Sequence, residues 1–207
     1  MHYTRILFII LIVSFNIAHA AATEQQIVPH LEKYTNNPYH FTIVYPSDFT
    51  TSKTFSTAYL LRTTWSMLND TLTHNNHEQH SIFEIQLQNI KGKSAKLGSY
   101  YYQAYVRIGL STDHTDLINC DNTNSSSNKN KNDILINDRI FSVAESSDTA
   151  MSQFNHVTSY SYLSGTECYR IEYITTGTNS LSIPNYTDVT NRNENAANNI
   201  IQSFTIL

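Results

Sequence analysis

The chain has few of the residues on which several common active sites depend. It contains only five glycines among 207 residues, and none of them builds a glycine-rich loop that cradles a phosphate. It also has no Gly-x-Ser-x-Gly segment, which presents the nucleophilic serine of many hydrolases. Paired carboxylates for acid–base catalysis are missing as a pattern as well. We therefore expect a protein that is not an enzyme and that uses no cofactor.

Charged residues are also scarce. They make up 14% of the chain, and the formal net charge is −4. Lysine and arginine are scattered along the sequence, whereas binding to a phosphate backbone or to an anionic membrane surface needs a concentration of positive charge. We therefore expect no nucleic acid and no anionic membrane surface among the partners.

Long hydrophobic runs are absent too, since a membrane-spanning helix needs about 20 apolar residues. The longest run, residues 6–15, follows a basic residue and precedes Ala18 and Ala20, the small-residue spacing that signal peptidase reads. We interpret residues 1–20 as a cleaved export signal and residues 21–207 as a single soluble domain without a membrane span. The predicted location is therefore periplasmic or secreted.

The chain contains two cysteines, Cys120 and Cys168. In an exported protein such a pair favours one disulfide. The closed loop of 48 residues gives roughly 4 kcal/mol of stabilisation in the chain-entropy model. The alternatives are a redox pair and a pair of metal ligands. Neither is favoured, because the two cysteines do not form a Cys-x-x-Cys motif and no histidine is adjacent to them.

Much of the chain alternates between apolar and polar residues, which is typical of half-buried β-strands. The strongest strand is 100–110, whose even positions form a continuous apolar face. We expect this strand to lie centrally, with Val106 and Ile108 buried against a helix. Further strands are predicted at 41–45, 83–87, 134–136, 140–143, 156–163 and 168–175, and residues 59–65 fit either a strand or a helix.

The predicted helices lie mainly at the two ends of the domain. Residues 22–34 and 191–204 are the terminal candidates, and residues 111–119 predict a short helix after the central strand. A helical turn is predicted near 148–154, and the polar segment 121–133 is predicted to be a mobile loop. Together the patterns predict an α+β fold, an antiparallel sheet with terminal helices packed on one face.

Four charged residues alternate with core residues on the predicted strands. They are Glu84, Arg107, Arg170 and Glu172. On neighbouring strands they would form a charged ladder on the exposed face of the sheet, which is either solvated cross-strand pairing or part of a binding surface.

Tyrosine is abundant, with 14 residues, and favours the second interpretation because it combines a large contact area with a hydroxyl that can form hydrogen bonds. The predicted binding residues are Tyr101, Tyr105, Arg107, Tyr160 and Tyr162.

Three histidines lie close together in the sequence at His74, His77 and His80, with Glu78 among them. Neutral imidazoles bind zinc, copper or nickel, so these residues are metal-ligand candidates. The alternative is an exposed histidine-rich loop, which Asn75 and Asn76 favour.

Several segments, in order, resemble a group of exported proteobacterial proteins of unknown function. They are AYVRIGLSTD (104–113) followed by Cys120, DTAMSQF (148–154), SYSYLSGTECYRIEYITTGTN (159–179) and SFTIL (203–207). The resemblance implies that Cys120 and Cys168 are partners and implies no activity. More remotely, FTIVYPSDF (41–49) and the terminal helix resemble PsbP-like α+β domains, which serve mostly as non-catalytic accessory modules.

The sequence therefore favours an exported binding or accessory module whose partner is a protein or a small molecule. Two other functions stay open. One is a metal-dependent hydrolase or metal-binding protein that uses His74, His77 and His80, and the other is a secreted effector.

Overall fold

A computed structural model describes residues 30–53, 55, 79–94, 98–120, 132–150, 153–178, 183 and 185–207. The predicted export signal 1–20, the segment 59–65 and residues 121–131 of the predicted polar loop lie outside the described residues. The last two residues of that predicted loop, Asn132 and Asp133, belong to a strand.

The described strands form two antiparallel sheets. The small sheet has the order β1-β2-β11, with β1 at Leu31–Asn36, β2 at Phe41–Pro46 and β11 at Thr205–Ile206. The large sheet has eight strands: β3 (Thr50–Ser52), β4 (Gln79–Gln86), β5 (Ile90–Ser94), β6 (Gly98–Ser111), β7 (Asn132–Ile136), β8 (Arg139–Ala150), β9 (Gln153–Ser164) and β10 (Glu167–Thr178). Its order is β3-β4-β6-β10-β9-β8-β7, and β5 pairs with the first part of β6, beyond the end of β4.

The fold is mainly β, so the predicted α+β class with terminal helices on one face is wrong. Residues 31–34 of the predicted N-terminal helix belong to β1, and residues 22–29 lie outside the described part of the chain. All of β1 pairs with β2 in a hairpin, and this pairing overrides a weak helix preference. Similarly, the helical turn predicted near 148–154 is wrong, because residues 148–150 belong to β8 and residues 153–154 to β9.

The described residues contain two helices, α1 (His114–Cys120) and α2 (Tyr186–Gln202). The short helix predicted at 111–119 is α1, and Asp113 caps it by accepting a hydrogen bond from the Asp116 amide at 3.2 Å. The C-terminal helix predicted at 191–204 is α2, which begins and ends earlier than expected. Its buried residues are Val189, Asn193, Ala197, Ile200 and Ile201.

The central strand β6 has two different faces. Its even positions from Tyr102 to Leu110 are buried, with Val106 and Ile108 at 0% exposure, which confirms the prediction for this strand. They pack in one core with side chains of α2 and of the small sheet. We call this side of the large sheet the apolar face. The opposite side, toward which the odd positions of β6 point, is the polar face.

A β-hairpin of the large sheet is fastened to the end of α2. The predicted hairpin around Asn137 and Asp138 is confirmed as the connection between β7 and β8, and both residues have positive φ, 43° and 65°. Asparagine tolerates this left-handed conformation well. The Asn137 Nδ2 group donates hydrogen bonds to the carbonyl oxygens of Gln202 (3.0 Å) and Phe204 (2.8 Å). This turn therefore joins the large sheet to the segment that leads into β11.

Candidate functional site

The polar face carries charged side chains in the interior of the protein. Arg107 on β6 lies directly opposite Glu84 on β4 and Glu172 on β10. Its Nε donates a hydrogen bond to Glu84 Oε2 at 2.8 Å, and the two side chains are only 1% and 2% exposed. The guanidinium also lies over the ring of Phe55, 4.8 Å from the ring centroid. Burying either charge alone would be costly, so each of the two side chains needs the other in order to remain buried.

Glu172 is a second buried carboxyl group of this face, and its hydrogen bonding is incomplete. It is 3% exposed, and its Oε1 has no hydrogen-bond partner. Burial raises the pKa of Glu172 from its usual value of 4.5, although the positive charges of Arg170 and Arg107 act in the opposite direction. Arg170 donates from Nε to Ser161 Oγ at 3.2 Å, and burial lowers its pKa below the usual value for arginine. The polar face therefore favours the neutral form of Glu172 more than water does.

One end of the polar face is closed by α1. Ser111 of β6 donates from Oγ to Asp116 Oδ2 at 2.7 Å. Cys120 at the end of α1 forms a disulfide with Cys168 of β10, and both residues are fully buried. The Cα–Cα distance is 5.8 Å, within the usual range for a disulfide. The predicted bridge is confirmed, and it is typical of proteins from an oxidising environment.

The charged ladder predicted for an exposed face is buried, so its predicted exposure is wrong. Glu84, Arg107, Arg170 and Glu172 are between 1% and 7% exposed. The predicted cross-strand arrangement is confirmed for Glu84, Arg107 and Glu172, which share one row, whereas Arg170 lies opposite Gly109 and Ser161. Alternation along a strand predicts which residues share a face, but it does not show whether that face meets water.

The five predicted binding residues are divided between the two faces. Tyr101, Tyr105 and Arg107 all lie on the polar face of β6. Tyr160 lies opposite Ile171 of β10, and it is part of the core on the apolar face, where Tyr162 packs as well. The structure therefore does not bring the five residues together into one surface, and a role of each in binding stays a prediction.

An open depression lies at the end of the polar face that is farther from α1. Its volume is about 620 Å³, and its lining is Lys91, Gly92, Lys93, Ser99, Tyr100, Tyr101 and Gln103. In the hairpin of β5 and β6, Lys91 pairs with Tyr101 and Lys93 pairs with Ser99, so these four side chains and Gln103 share the polar face. We call this site the basic depression. It combines two exposed ammonium groups with a tyrosine, an amide and a hydroxyl.

Sequence reasoning found Tyr101 but missed the two lysines beside it. A strand prediction for residues 90–94 places Lys91 and Lys93 on one face, and this is the signal that was available. Gly92 weakens such a prediction because glycine is unfavourable in strands. The pairing with residues 98–102 of β6 overrides this preference.

The three candidate metal ligands are only partly described. His74 and His77 lie outside the described residues. His80 is on β4, and its ring lies 5.1 Å from the ring of Tyr39. Among the described residues no group of three histidine, cysteine, aspartate or glutamate side chains is placed to hold a metal ion. A metal site stays a prediction, and its test is the loss of a stoichiometric, dialysis-resistant metal ion in the H77A/H80A variant.

Comparisons with known proteins give weak structural likenesses only. No family model and no curated protein matches the chain. One similar solved structure is a protein of Bacteroides thetaiotaomicron VPI-5482, at 8% identity and a TM-score of 0.38. The likeness covers 85% of this chain and 48% of that protein, so the chain spans about half its length.

A second similar structure is the cyanobacterial PsbP (CyanoP) of Synechocystis sp. PCC 6803. It has 9% identity and a TM-score of 0.24, over 91% of this chain and 99% of that one. The remote PsbP-like resemblance is thus found again at a low TM-score, and neither likeness carries an argument about function. The resemblance to exported proteobacterial proteins stays a prediction. Among the helices that the structure describes, none is long and apolar enough to cross a membrane.

Proposed function

We propose that this protein is an exported, non-catalytic binding module that holds an anionic ligand in the basic depression. The observation that carries the proposal is the position of Lys91 and Lys93, which share one open depression with Tyr101 and Gln103. No carboxylate is present among the described residues that line it. Two neighbouring ammonium groups attract an anion when none of the described lining residues is a carboxylate, even though the whole chain has a net charge of −4.

The basic depression is open to solvent, whereas the interior of the polar face is buried. Lys91 and Lys93 are exposed, and Tyr101 and Gln103 are half-buried. By contrast, Arg107 is 1% exposed and already bonded to Glu84. The lysines therefore supply charge, while the tyrosine ring and the amide of Gln103 supply contact area and hydrogen bonds.

Export is part of the same proposal. The buried Cys120–Cys168 disulfide supports folding in an oxidising compartment. The predicted signal segment 1–20 supports the periplasm or the exterior of the cell as the location.

The test is a titration of the exported protein with anions of increasing size. Isothermal titration calorimetry with inorganic sulfate, a sulfated oligosaccharide and a glutamate-rich peptide covers the main classes of anion. The K91Q/K93Q variant should bind at least one of them about tenfold more weakly than the wild type, because two ion pairs of the exposed type are lost. Raising the salt concentration should weaken wild-type binding as well.

The matched control is K33Q, which removes an exposed lysine from β1 in the small sheet. This variant should bind each anion as the wild type does. The proposal is wrong if none of the three probes binds to the wild type, or if K33Q weakens binding as much as K91Q/K93Q does.

A further inference from the structure

The basic depression lies beside a strand edge. Strand β5 pairs with β6 on one side, and no described strand pairs with its other side. The outer N–H and C=O groups of an edge strand are a template on which another extended segment can add by backbone hydrogen bonds. An edge of this kind is a recognition element as well as a hazard for aggregation.

The two lysines give this edge a charge pattern with the period of a β-strand. Lys91 and Lys93 are two residues apart on β5, so their Cα atoms are separated by about 6.6–6.8 Å along the strand. An added strand presents its own alternate side chains at the same spacing. Lysines on an edge discourage pairing with a second copy of the same strand, because the like charges would meet. The same two charges favour an added strand whose alternate side chains are carboxylates.

Gly92, between the two lysines, makes room for a side chain of the neighbouring strand. A Cβ at this position would clash with the ring of Tyr100, which lies directly opposite on β6. The hydroxyl end of Tyr100 therefore reaches across β5 on one side of the sheet, while Tyr101 lies on the other side with the lysines.

We infer that the ligand of the basic depression is an acidic, extended peptide segment of a partner protein, which adds a strand to the outer edge of β5. Its alternate carboxylates face Lys91 and Lys93, and its backbone pairs with the backbone of residues 90–94. This inference rests on the proposed function, because it names the ligand class of the same site.

The experiment compares two labelled peptides of about six residues, the usual length of a strand. Both peptides carry glutamate at alternate positions with threonine between. One of them is N-methylated at the alternate backbone nitrogens that would form hydrogen bonds with β5. Charge and composition are matched, so the pair isolates backbone hydrogen bonding. In fluorescence anisotropy with the exported protein, the unmodified peptide should bind. N-methylation and the K91Q/K93Q change should each weaken it by about tenfold or more, and K33Q should have no effect.

Hydrogen exchange supplies a second measurement that does not depend on variants. Binding of the unmodified peptide should slow exchange at the backbone amides of β5, and the N-methylated peptide should not. Equal binding of the two peptides overturns strand addition but leaves anion binding intact. Strand addition is also overturned, with anion binding intact, if the sulfated oligosaccharide is the only probe whose binding depends on Lys91 and Lys93. If no anionic probe binds, the proposed function fails together with this inference.

Discussion

The two faces of the large sheet are both buried around Val106 and Arg107 of β6, but they are stabilised in different ways. On β6, Val106 on the apolar face and Arg107 on the polar face are neighbours in sequence, and their exposures are 0% and 1%. Val106 packs in a core with α2 and the small sheet. Arg107 is held by an ion pair and an aromatic ring. An apolar side chain is stabilised by any close contact, whereas a buried charge depends on particular partners.

The largest expected difference between the faces comes from two adjacent residues of β4, Glu84 and Ile85. E84Q keeps the size of the side chain but removes the carboxylate that pairs with the buried Arg107 Nε, so we expect a loss of about 3–5 kcal/mol of unfolding free energy. I85V removes one methyl group from the apolar face and should cost about 0.5–1.5 kcal/mol. Urea denaturation at neutral pH measures both losses. An E84Q variant as stable as I85V would show that the polar face does not depend on its ion pair.

The next effect concerns the disulfide that ties α1 to the polar face. The C120A/C168A variant should lose roughly 2–4 kcal/mol, because the closed loop no longer restricts the unfolded chain. Hydrogen exchange should become faster in α1 than in α2, which is held by apolar packing. Mass spectrometry of the exported protein before and after reduction checks the bond itself, and two free thiols would contradict the bridge.

A smaller effect is expected where the large sheet holds the end of α2. N137G keeps the left-handed turn but removes the hydrogen bonds to the carbonyls of Gln202 and Phe204, at a cost of about 1 kcal/mol. N137A should cost a further 1–2 kcal/mol, roughly, because alanine is strained at a φ of 43°. Thermal or urea unfolding of the two variants separates hydrogen bonding from backbone strain. If N137G and N137A are equally stable, the loss of stability comes from the hydrogen bonds alone and backbone strain contributes nothing.

The last prediction is a change in pH dependence. Because the pKa of Glu172 is raised in the folded state, the folded protein binds this proton more strongly than the unfolded chain does. The stabilisation is fully present below pH 4.5 and is lost as the pH rises through the folded-state pKa. E172Q stays neutral, so its stability relative to the wild type should increase between pH 4 and pH 8 in urea denaturation. E145Q, at an exposed position of β8, is the control. Parallel curves for wild type and E172Q would contradict the raised pKa.

The sequence predicted the central strand well because its signal is local. The even positions of β6 are apolar without interruption, and their burial follows from that pattern. It predicted the hairpin at Asn137 and the short helix α1 for the same reason. It failed for residues 31–34, where pairing with β2 decides the structure: the strand at 41–45 was predicted, but its pairing with residues 31–36 was not.

The candidate site shows the same division. Tyr101, Tyr105 and Arg107 were identified from their shared face on one strand, which is a property of the sequence. Tyr160 and Tyr162 were assigned to that face as well, but the register between β9 and β10 places them on the opposite side. The lysines of the basic depression were missed because their importance depends on the pairing of β5 with β6.

The sequence by itself determined the alternation of the strands, the turn at Asn137 and the presence of two cysteines able to pair. These depend on the stereochemistry of neighbouring residues and on composition. Only the tertiary structure decided that both faces of β6 are buried around Val106 and Arg107. It also decided that Glu84, Arg107 and Glu172 meet in the interior, and that Lys91 and Lys93 lie beside Tyr101 at an edge. The reason is physical: a strand alternates its side chains whatever its surroundings, but burial, pKa and edge position depend on which distant segments pack against it.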